Sequence, residues 1–225
     1  MKKVFVLVAA LVAFFAAGAT HATIVSYSFG GVTSTGMGGV VAGTPFTGTF
    51  SYDSSVIGVT TPYYNLGATQ TLFANAYTTL TLTIGGSTVT AGVPGDIVIY
   101  NNSLLDGALH GVATGDSLWT SGYNVLPPPS TGSFAGINPI GISFGLIDRT
   151  ATAFNAGSGP ISLSPAISPS SFTSGEIKVY TSAAVFTSNL SSFSATAAVP
   201  VPGSFALMLS GLGLLGFSAR SRRAN

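Results

Sequence analysis

Apolar and polar residues alternate with a period of two along most of the chain. In Thr79-Leu80-Thr81-Leu82-Thr83-Ile84 the apolar side chains share one face and the threonines the other, as a half-buried strand requires. Phe46, Phe50 and Tyr52 alternate with Thr47, Thr49 and Ser51 in the same way, as do Ile140, Ile142, Phe144 and Leu146 with their neighbours. Further strands are expected over Thr23 to Phe29, Asp96 to Tyr100, Phe172 to Tyr180 and Ala183 to Ala197. Turn signals such as Val93-Pro94-Gly95 and Pro127-Pro128-Pro129 separate them. No window of the body shows a sustained helical period. The pattern predicts an all-β fold of nine or ten short strands, a single antiparallel β-sandwich or jelly roll.

Two segments break the alternation. Lys2 and Lys3 precede an apolar run from Val4 to Ala17, and small residues follow: Ala19 or Ala22 satisfies the signal-peptidase rule, with Thr20-His21-Ala22, cut after Ala22, the preferred site. From Gly203 to Ala219 there are 17 residues without charge, about 25 Å if helical. They read as a C-terminal transmembrane helix. Arg220, Arg222 and Arg223 then form a cytoplasmic stop by the positive-inside rule. The expected organisation is a signal peptide over 1–22, a β-domain over 23–198 and a terminal signal over 199–225.

Charge sharpens this picture. Only 6% of residues are Asp, Glu, Lys or Arg, against roughly 25% in an ordinary soluble protein. Five of the seven basic residues lie in the terminal segments, so the body holds Arg149 and Lys178 against all six acids. Such a body has no footprint for nucleic acid. With no cysteine there is no disulfide scaffold and no thiolate metal site.

The last 30 residues join a Val-Pro-x-Pro step, a short apolar stretch rich in Gly, Leu and Ala, and an arginine cluster. This combination resembles the PEP-CTERM sorting signal of Gram-negative exported proteins, its parts falling on Pro200-Val201-Pro202, Gly203 to Ala219 and Arg220 to Arg223. The resemblance implies cleavage near the prolines by an exosortase, a membrane-embedded cysteine peptidase. It also implies transient residence in the inner membrane facing the periplasm, then transfer to the cell surface or the exopolysaccharide matrix of a biofilm. Val201 departs from the family, which usually has glutamate between the prolines. The strand Phe46-Thr47-Gly48-Thr49-Phe50-Ser51-Tyr52-Asp53 is similar to one found early in many bearers of this signal; read by itself it is a core strand ending in an Asp turn.

Candidate chemistry in the body is sparse. Gly115-Asp116-Ser117-Leu118 spells the nucleophile block of GDSL esterases, yet no histidine follows Ser117 to act as its base, and His110 lies seven residues upstream. Asp96, Asp106, Asp116 and Asp148 stand apart in sequence, whereas glycoside hydrolysis needs two carboxyls facing each other. Asp96, Asn101, Asn102, Asp106 and Asp116 offer hard oxygen ligands for calcium without any EF-hand spacing. No other cofactor is expected. Tyr63, Tyr64, Trp119 and Tyr123 are the aromatics able to stack on a sugar. The sequence therefore points to a non-enzymatic surface or matrix protein, with signal peptidase, exosortase and exopolysaccharide as partners; the alternative is a tethered glycan-binding module or hydrolase.

Overall fold

The computed structural model describes residues 23–63, 68–103, 114–121, 127–154, 161–163 and 167–200. Ile24–Val199 form one compact unit; Met1–Thr23 and Pro200–Asn225 form a second, nearly all of it outside the described residues. The expected signal peptide and the expected transmembrane helix over 203–219 fall there. Among the described residues no helix is long and apolar enough to cross a membrane.

Ten strands follow in order: β1 (Thr23–Val32), β2 (Pro45–Asp53), β3 (Val59–Pro62), β4 (Thr69–Ile84), β5 (Ser87–Thr90), β6 (Gly95–Ser103), β7 (Gly115–Thr120), β8 (Gly141–Asp148), β9 (Ser174–Tyr180) and β10 (Val185–Pro200). The hydrogen-bonded path runs β2-β1-β10-β9-β8-β7-β6-β4, and β2 pairs back onto β4. Eight strands therefore close into an antiparallel barrel, with β3 and β5 added outside the ring on β4. This closure corrects the expected sandwich or jelly roll.

The cause lies in β4. Its first part pairs with β6 from Thr69↔Asn101 to Phe73↔Ile97, and its second part pairs with β2 from Tyr77↔Tyr52 to Ile84↔Phe46. Between them the register slips, Phe73 facing Ile97 but Tyr77 facing Gly95, and Asn75 takes a left-handed φ of 56°. Bulges of this kind bend a strand and raise its twist. One 16-residue strand thus serves both walls and leaves no seam between two sheets.

The barrel interior is filled. Phe144 lies between Phe29 and Phe50 at ring-centroid distances of 5.1 and 4.9 Å, and Phe193 stacks on Tyr27 at 4.8 Å. Eight strands leave just enough room for such side chains. Gly48 fits because it has none: a Cβ there would stand 2.2 Å from the Phe29 ring and 2.3 Å from the Thr81 carbonyl oxygen.

Hydroxyls face outward across five strands. Thr88 pairs with Thr83 at 2.7 Å, Thr81 with Thr49 at 2.8 Å, Ser51 with Ser26 at 2.9 Å and Ser28 with Ser194 at 3.0 Å. On these strands an apolar lumen lies inside a hydroxyl wall, whereas the outward register of β6, β7 and β8 carries a second apolar cluster of Val98, Tyr100, Trp119 and Ile147.

Candidate functional site

The barrel end formed by the start of β7 and the end of β8 holds the densest polar chemistry. Asp116 and Asp148 are directly opposed partners in the β7–β8 ladder, on the inward-facing register of Leu118 and Leu146, and both are fully buried. Asp148 Oδ1 accepts from the Thr150 N–H at 2.8 Å and its hydroxyl at 2.6 Å. Its Oδ2 accepts from the N–H groups of Thr152 and Ala153 at 2.7 and 2.8 Å and from the Thr152 hydroxyl at 3.2 Å. Burial pushes its pKa up, but these donors outweigh burial and hold it below the ordinary carboxylate value.

Asp116 has fewer partners. It accepts from the Asn102 N–H at 2.8 Å and the Phe154 N–H at 3.1 Å. Burial raises its pKa, the backbone donors oppose that only in part, and the nearby Asp148 charge adds to the rise. Two facing carboxyls pushed in opposite directions are the pattern of an acid–base pair. Here both side chains are sealed from solvent and spent on backbone N–H groups. Their visible work is to fasten the loop over 149–154 and the end of β6 to the barrel mouth.

The same end holds a tyrosine pair. Tyr27 Oη donates to the Ile167 carbonyl at 2.7 Å, the Ile167 N–H donates to Tyr52 Oη at 3.1 Å, and the two hydroxyls are 3.3 Å apart. Burial drives both pKa values up, furthest for Tyr27. The pair pins the chain around Ile167 against β1 and β2.

The other sequence candidates are dispersed. Asp96 lies at the start of β6 and Asn101 near its end, about 16 Å away at the rise of an extended strand. Asp96 accepts from the Asn75 N–H at 2.8 Å, bracing the β4 bulge, while Asp106 lies outside the described residues. Among the described residues no three His, Asp or Glu gather as a metal site. Ser117 is fully buried between Tyr100 and Ile147 in the ladders, and His110 lies outside the described residues.

Trp119 is also fully buried. Its ring covers Gly145, where a Cβ would stand 2.4 Å from it, and Lys178 Nζ lies 4.1 Å from the ring centroid. Lys178 pairs in turn with Glu176 at 3.2 Å. Tyr63 packs on Tyr100 at 4.7 Å between ring centroids; Tyr64 and Tyr123 lie outside the described residues.

A cleft of about 190 Å³ opens where β10 parts from β9. Leu146, Phe172, Leu190 and Phe193 give it an apolar floor, and Ser174 and Ser192 stand among its hydroxyls. No charged residue lines it.

Beyond this cleft β10 continues to Pro200, where the sequence turns from alternating to proline-rich. The family model described as the PEP-CTERM protein-sorting motif matches residues 198–223. This chain carries a PEP-CTERM sorting motif. The PEP-CTERM motif marks an exported protein that is sorted by an exosortase. Its match takes in Pro200, Val201 and Pro202 and the arginines at 220, 222 and 223, and it begins inside β10. No curated protein and no solved structure matches the chain.

The loop-fastening role of Asp148 is absent from the sequence-based expectations. The signal was present as Asp148-Arg149-Thr150-Ala151-Thr152, an Asp followed at i+2 and i+4 by threonines, which favours side-chain-capped turns. The tyrosine pair had no such local signal, because its partners are 25 and 140 residues apart.

Proposed function

We propose that the protein is an exosortase-sorted component of the cell surface or extracellular matrix of a Gram-negative bacterium, and that its barrel is structural, without catalytic activity. The observation that carries the reading is the sorting motif joined directly to a folded barrel. The outer wall supports it. On β1, β2, β4, β5 and β10, paired hydroxyls with almost no charge suit crowded, neutral exopolysaccharide, where a charged wall would be solvated and repelled from its own kind. The polar groups with perturbed pKa values are buried and engaged in holding loops, which suits a scaffold.

A second reading, a glycan-binding module, rests on the cleft between β9 and β10, whose apolar floor and hydroxyl lining match the two sides of a sugar ring. The two separate by experiment. Under the structural reading the protein co-fractionates with the exopolysaccharide matrix, removal of residues 198–225 releases it into the medium, and Ser117→Ala changes no hydrolytic activity. Saturable binding of the purified barrel to one glycan, lost on Phe193→Ala, favours the module. Ester or glycoside turnover that Ser117→Ala abolishes overturns the structural reading.

A further inference from the structure

The sorting motif begins at residue 198, and β10 runs to Pro200, so no linker separates the folded wall from the segment to be processed. The motif and β10 share residues 198–200, so β10 is the barrel strand next in sequence to the processed step. On one edge β10 pairs with β1, where the Ser28 and Ser194 hydroxyls meet at 3.0 Å. On its other edge it pairs with β9 only from Val185↔Tyr180 to Asn189↔Glu176. Past that point the cleft intervenes, with Pro169, Phe172, Thr173, Ser174 and Gly175 on one side and Leu190, Ser191, Ser192 and Phe193 on the other. Among the described strands none pairs with this edge beyond Asn189.

Such an edge is normally guarded by charge, proline or brevity, because its backbone groups template the addition of another strand. This one is unguarded. From Val185 to Val199 there is neither a charged residue nor a proline, and Ser191, Ser192, Ser194, Ala195 and Thr196 are exposed. Their small side chains leave room for a second backbone to approach. Strand addition draws affinity from main-chain hydrogen bonds and asks little of side chains, and this edge leads without interruption into the motif.

We propose that the free edge of β10, from Leu190 to Val199, is the docking strand on which exosortase adds a strand of its own, placing the Pro200-Val201-Pro202 step in its active site. This rests on the sorting reading and adds to it a second recognition element within the fold. Docking on the free edge leaves the β1–β10 ladder intact.

The test uses the full chain in a host with an active exosortase, with cleavage followed by intact mass. N–H groups point alternately to the two edges of a strand, so of Ser194→Pro and Ala195→Pro one removes a bond to β1 and lowers the melting temperature. The other removes a free-edge N–H and leaves melting unchanged, as edge strands accept proline. That second variant is expected to be cleaved roughly tenfold more slowly while fully folded. A Ser28→Cys/Ser194→Cys disulfide, which locks β10 to β1, is expected to leave cleavage at the wild-type rate.

Wild-type cleavage of the folded edge-proline variant overturns the docking strand and leaves the sorting reading standing. Loss of cleavage in the disulfide variant also overturns it, because β10 must then peel away from β1. An edge that pairs two copies of the chain, seen as a dimer that the edge proline dissociates without slowing cleavage, overturns it in favour of self-association. A wild-type chain that is not cleaved overturns both readings together.

Discussion

Replacing Asp148 by Asn removes half of a carboxylate that five donors share. The amide has one oxygen. It can keep the two bonds from Thr150 or the three from Thr152 and Ala153, and in either case its NH2 faces donors. At least two bonds to a charged acceptor are lost, each worth about 1.5–3 kcal/mol. Thr150 and Thr152 are exposed enough for water to replace part of this, so the expected loss at neutral pH is about 3 kcal/mol. For a barrel of this size that is a fall in melting temperature of roughly 6–12 °C. Because the folded pKa of Asp148 lies below its unfolded value, its contribution is complete above the ordinary carboxylate value and is lost as pH falls through the folded value. The gap between wild type and Asp148→Asn should therefore narrow as the pH is taken below the ordinary carboxylate value. Chemical denaturation of both proteins across pH measures it. A cost under about 0.5 kcal/mol at neutral pH, or a gap that does not change on acidification, refutes the reasoning.

Asp116 has the opposite sign: its raised pKa makes the buried carboxyl favour the neutral form, so stability from this group is fullest at low pH and declines as pH rises past the ordinary value. Denaturation of Asp116→Asn at neutral pH is accordingly expected to cost less than that of Asp148→Asn. Gly48→Ala drives a methyl into the Phe29 ring and the Thr81 carbonyl; a loss of about 3 kcal/mol in denaturant is expected, and a neutral result contradicts the packing described. Ultraviolet titration should leave Tyr27, Tyr52 and Tyr77 un-ionised until the barrel unfolds, since burial raises all three.

The strands were legible because alternation is local. The expected ranges for Phe46 to Tyr52, Thr79 to Ile84 and Asp96 to Tyr100 fall within β2, β4 and β6. Closure was not legible, since inward and outward faces alternate identically in a sandwich and a barrel. What distinguishes them is the partner of each strand, and that depends on the slip between Phe73 and Tyr77, where Ala74-Asn75-Ala76 gives no strong turn signal. Trp119 shows the same limit. A tryptophan beside a Gly-Asp-Ser-Leu turn looks exposed until β8 supplies Gly145 beneath its ring and β9 supplies Lys178 above it. The sorting motif was legible for the converse reason, because its prolines, apolar stretch and arginines are contiguous.

Whether the chain is sorted is decided at residues 198–223. Intact mass of the mature protein, from a host with active exosortase and from the same host lacking it, decides the matter. The predicted product of the first host lacks Arg220 to Asn225, and that of the second retains them. A chain that keeps Arg220 to Asn225 in both hosts contradicts the account.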